Sequence, residues 1–104
     1  CTGTKTEWAF DYRGRIFACT ATVGKPGEEL GTFWPESKLD REVVGKWQER
    51  DTVSLAECRG CSQALACGGG CASVAKNRTG EIASTDCRPS RELLELGIGA
   101  YLEA

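Results

Sequence analysis

The sequence predicts a small α+β unit, irregular and cysteine-rich, with an N-terminal β-hairpin, a middle helix and a C-terminal helix. Three observations predict it. At 104 residues the chain has room for one domain, 1–104, with a modest core and not for two. Hydrophobic residues at 40% and charged residues at 27% are ordinary globular proportions. The apolar pattern changes from alternation near the start to helical spacing in the middle and at the end.

The first element, residues 4–18, reads as a hairpin. Trp8 and Phe10 alternate with polar or small neighbours, Asp11-Tyr12-Arg13-Gly14 supplies the turn, and Ile16 and Phe17 begin the return, with Cys19 at its end. Residues 20–36, broken by Pro26 and Pro35, read as a loop. The middle helix is expected over 37–50, with Ser37 as N-cap and Asp40 three residues on. Leu39, Val43 and Trp47 share one face, with Val44 beside them. The charges of Asp40, Arg41, Glu42, Lys46, Glu49 and Arg50 read as the solvated face of that helix. Short helical pieces are expected at 62–66 and 72–76, the second closed by the turn Asn77-Arg78-Thr79-Gly80. The last helix is expected over 89–103, with Pro89 in its first turn and Gly97 and Gly99 as points where it bends or stops. Residues 57–71 carry too little regular structure to hold themselves together.

Composition closes several routes. The net charge is −2 with no basic stripe, so no nucleic-acid footprint exists. No apolar run is long enough for a membrane span and nothing at the start reads as a signal peptide. The chain has no His, which removes His-based triads, Cys/His zinc fingers and His-ligated haem. A start at Cys1 reads as a piece of something longer or processed.

Seven cysteines are left to explain. Disulfides, a metal site and ordinary small core residues compete, and an odd count weakens a complete disulfide framework. Their intervals are tight. Cys58-Arg-Gly-Cys61 is a C-x2-C knuckle, which redox dithiols and zinc sites share. Cys67 follows after five residues and Cys71 after three more, across Gly68-Gly69-Gly70. Three glycines cost backbone entropy, and they suit a chain passing close to something bulky, such as an iron–sulfur cluster. Cys87 stands apart, and Cys1 and Cys19 flank the hairpin, with Gly14 between them.

The whole reads C-x12-G-x4-C, then C-x2-C-x5-C-x3-C, then C. This pattern resembles the seven-cysteine SPASM domain, the C-terminal extension of many radical S-adenosylmethionine enzymes that modify peptides and proteins. The resemblance runs from Cys1 to Cys87, and Cys67-Gly-Gly-Gly-Cys71-Ala72, Val23-Gly24 and Leu30-Gly31 also look like that family. It implies two auxiliary 4Fe–4S clusters, the first on Cys1, Cys19 and Cys71, the second on Cys58, Cys61, Cys67 and Cys87. Seven thiolates are one short of eight, so the first cluster has an open iron or borrows Glu7, Asp11, a substrate group or a residue upstream.

The family's radical chemistry needs a C-x3-C-x2-C motif, and here Val74 stands where the third cysteine should fall. The expectation is therefore a module not catalytic alone. An N-terminal barrel in cis would bind S-adenosylmethionine, and a peptide or protein would be the substrate. A flavodoxin or ferredoxin would be the reductant, and the setting cytoplasmic. The competing class is a structural module with zinc on Cys58, Cys61, Cys67 and Cys87 and no redox role. Zinc could also replace iron in a fragment prepared in air, because the same soft thiolates suit both metals. Arg15, Arg59 and Arg88 lie near cysteines, where they could offset cluster charge. Trp8, Trp34 and Trp47 read as core or loop packing rather than cluster shields.

Overall fold

The computed structural model describes residues 7–104. Residues 4–6 of the expected hairpin, and Cys1, lie outside the described residues. The rest is the expected α+β arrangement: a four-stranded antiparallel sheet in the order β1-β2-β3-β4, followed by helices.

Strands β1 (Ala9–Phe10) and β2 (Arg15–Phe17) form the hairpin, pairing Ala9 with Phe17 and Phe10 with Ile16. Asp11 builds its turn. The carboxylate accepts the backbone N–H groups of Arg13 and Arg15 at 3.0 and 2.9 Å, the pattern by which Asp replaces a missing ladder partner. Gly14 has φ +82°, and a Cβ there would run into the Trp34 backbone, so this turn accepts only glycine.

The expected loop 20–36 contains a further strand, β3 (Glu29–Thr32), paired to β2 across a register shift between Ile16 and Phe17. β4 (Lys38–Leu39) pairs with β3 through Gly31 and Thr32. The strand therefore comes from its neighbours rather than from local alternation, and Leu30 is buried by the pairing.

β4 also takes the residues that were expected to open the middle helix. Helix α1 spans Arg41–Gln48, and its N-cap is Asp40, whose carboxylate accepts the N–H groups of Glu42 and Val43. Ser37 is not the cap. Val43, Val44 and Trp47 still turn inward, as the spacing requires. Trp47 joins Ile16, Ala18, Leu30 and Ala72 in the core, with Trp8 and Ile82 packed against it. Leu39 lies on the strand instead and stays exposed. Among the other tryptophans, Trp34 is exposed beside a cis bond to Pro35.

Helix α2 (Ala64–Cys67) is one turn. Helix α3 (Ala72–Thr79) runs further than 72–76 and absorbs Asn77-Arg78-Thr79, ending at Gly80 in the left-handed region. Helix α4 (Ser90–Glu103) continues through Gly97 and Gly99, and none of its side chains is buried. Among the described residues, no helix is long and apolar enough to cross a membrane.

Candidate metal centre

Four of the seven cysteines lie around one cavity. Cys58 ends a short 3-10 turn (Ala56–Cys58), Cys61 lies three residues on, Cys67 closes α2, and Cys87 arrives from the segment before α4. All four line one cavity of about 160 Å³, with Arg88, Ser90 and Glu57 also on its walls. A single water needs roughly 10–15 Å³, so the space suits a group of several atoms. Among the described residues, no three His, Cys, Asp or Glu side chains converge tightly enough to grip one ion. The donor set is all thiol, which suits iron–sulfur clusters and zinc alike.

Exposure differs around the ring. Cys58 is buried, Cys67 half-buried, and Cys61 and Cys87 exposed. Burial pushes the Cys58 thiol above its ordinary value, and the neighbouring Cys87, Cys61 and Cys67 push the same way. Cys67 moves oppositely. The Ser90 hydroxyl bonded to its sulfur pulls it down against its burial, helped by the N–H groups of Gly69 and Gly70 and by the charge of Arg88. These donors stabilise the thiolate, the form that binds metal.

Two glycines of the run press against the protein's own chain. Gly68, Gly69 and Gly70 all have positive φ. A Cβ on Gly69 would press on Leu55, and one on Gly70 would collide with the backbone of Asp86. The segment leading to Cys87 is therefore a close neighbour of Gly70.

Asp86 is the residue that sequence reasoning missed here. It is 2% exposed. Its N–H donates to the Gly69 carbonyl at 3.1 Å, and its carboxylate accepts from the Cys71 N–H at 3.2 Å. Arg88 and Arg78 pair with it at 2.6 and 3.3 Å. The hydrogen bond from Arg88 holds its carboxyl below the usual carboxylate range, against its burial. Its position one residue before Cys87 was the only signal. Arg88 is thus anchored near Cys67 and Cys71, while Arg59 binds the Val53 carbonyl. Arg15 is committed to Asp11 and Glu29.

The second ligand set is described only in part. Cys19 and Cys71 are both half-buried. Ala18, just before Cys19, and Ala72, just after Cys71, belong to the same core cluster. The Cys19 sulfur accepts the Ala21 N–H at 3.3 Å. Asp11, one of the residues suggested as an eighth ligand, is held by Arg15 at 2.6 Å and by two backbone N–H groups; Glu7 is exposed.

No protein-family model matches the chain, and no curated protein matches it significantly.

Proposed function

We propose that this chain is an auxiliary iron–sulfur module of a radical S-adenosylmethionine enzyme that modifies a peptide or protein. Cys58, Cys61, Cys67 and Cys87 hold one 4Fe–4S cluster, and Cys1, Cys19 and Cys71 contribute to another. The observation that carries the reading is the single cavity lined by the four cysteines that the family resemblance assigns to one cluster. Bound there, such a cluster supplies one-electron redox chemistry. The chain's own residues present soft thiolates, shield the Cys58 side from water, and direct hydrogen-bond donors at the Cys67 sulfur. Donors of that kind raise the reduction potential.

Radical generation belongs to an N-terminal barrel in cis, which binds S-adenosylmethionine, since the chain lacks a C-x3-C-x2-C motif. A flavodoxin or ferredoxin of the cytoplasm supplies electrons. The test is metal and sulfide analysis with a visible spectrum after reconstitution without oxygen. Iron and sulfide in equal amounts, about four of each per filled site, with a broad sulfur-to-iron band are expected. Zinc without sulfide under the same conditions would overturn the reading in favour of a four-cysteine structural zinc module.

A further inference from the structure

Arg50 was expected on the solvated face of the middle helix. It lies just past α1, half-buried, and its guanidinium turns inward to three backbone carbonyls. Nε donates to Ile82 at 3.0 Å, and Nη2 donates to Gly69 at 2.9 Å and to Ser84 at 3.0 Å. These acceptors are not scattered. Gly69 is in the loop between Cys67 and Cys71, and Ile82 and Ser84 are in the segment that delivers Asp86 and Cys87. The Gly69 carbonyl is gripped twice, by Arg50 and by the Asp86 N–H.

The same guanidinium brings its charge near Cys58, a residue of the cavity wall. Arg50 Nη2 and the Cys58 sulfur each lie 3.7 Å from the point a Gly69 Cβ would occupy, so they are within twice that distance of each other. The charge also opposes the upward push on the Cys58 thiol. A planar fork with five donors can serve three carbonyls at once, whereas a lysine ammonium on a flexible stem cannot reproduce the fork.

We infer that Arg50 is the positioning residue of the four-cysteine site, clasping the Cys67–Cys71 loop to the segment before Cys87 and setting a positive charge beside Cys58. The inference rests on the proposed function for its redox consequence, though not for its structural one. Adding an electron makes a thiolate-held cluster more negative, so a fixed positive charge nearby favours reduction.

The experiment uses the reconstituted parent with Arg50→Gln and Arg50→Lys. It reads the midpoint potential by dithionite titration with electron paramagnetic resonance, and the rate of iron loss to a chelator. Arg50→Gln is expected to lower the reduction equilibrium constant about tenfold, some 59 mV for a one-electron couple. Arg50→Lys should keep the potential near the parent's but lose iron at least several-fold faster. If Arg50→Gln fails to fold, Arg50→Lys decides alone, and an unchanged rate of iron loss overturns the inference. So does an Arg50→Gln protein matching the parent in both readings. A parent that takes up no iron refutes the proposed function instead. Arg50 is then judged on metal-free protein by amide hydrogen exchange at Gly69–Cys71, where at least tenfold faster exchange in Arg50→Lys supports the clasp and unchanged exchange overturns it.

Discussion

Replacing Gly70 by alanine isolates what the loop between Cys67 and Cys71 demands of the chain. Gly70 has φ +73°, and an added Cβ meets the Asp86 backbone, which cannot rotate away as a side chain could. The left-handed conformation costs a non-glycine residue about 1–2 kcal/mol. Crowding against a fixed neighbour adds typically about 1–3 kcal/mol. The expected loss is therefore about 2–5 kcal/mol, a fall in Tm on the order of 10–20 °C for a chain this size. Gly24 is the control, because its φ of +80° is nearly the same but nothing lies within 4 Å of its Cβ position. Gly24→Ala should lose only the backbone part, about 1–2 kcal/mol. Thermal unfolding of the two variants, followed by circular dichroism, makes the comparison. Equal losses would refute the claim that Gly70 is required by its approach to Asp86.

Two further outcomes follow from the local structure. Asp40→Ala removes the cap of α1 and should cost about 1 kcal/mol in urea unfolding, whereas Ser37→Ala should cost almost nothing; the reverse order would restore the helix start expected from sequence. Burial pulls the Asp11 carboxyl upward, but the N–H and guanidinium of Arg15 and the Arg13 N–H outweigh it and leave it below the ordinary carboxylate value. A carboxyl lowered in the folded state contributes stability that is present above its unfolded value, near pH 4, and lost as pH falls through the folded one. Asp11→Asn should therefore be less stable than the parent at pH 7, with the gap closing below about pH 4 in urea midpoints; a gap independent of pH would contradict the Arg15 pairing.

The hairpin was legible because Asp11 and Gly14 carry their turn within four consecutive residues. The same holds for the inward face of α1, where Val43 and Trp47 fall at helical spacing. β3 was not legible, since Glu29–Thr32 has no alternation strong enough to stand out and is made a strand by β2 and β4 on either side. Its partner β4 then displaced the helix start from Ser37 to Asp40, a competition between sheet pairing and capping that no local window contains. At the site, the tight spacing pointed to Cys58, Cys61 and Cys67, but Cys87 in place of Cys71 came only with the family resemblance. Arg50 and Asp86 escaped because their work is done on backbone carbonyls and N–H groups distant in sequence, which leaves no mark on residue type. The glycine run was seen, but the approach of Gly69 to Leu55 and of Gly70 to Asp86 was not.

The central claim is that the cysteines form two separate cluster sites with interleaved ligands. Iron content of Cys61→Ala and Cys19→Ala, each reconstituted without oxygen beside the parent, tests it most directly. The parent should hold about eight iron, Cys61→Ala about four with a disordered middle segment, and Cys19→Ala about four with the cavity site intact, since each cubane carries four irons. Iron unchanged in Cys61→Ala, or lost entirely in Cys19→Ala, would contradict the two-site account.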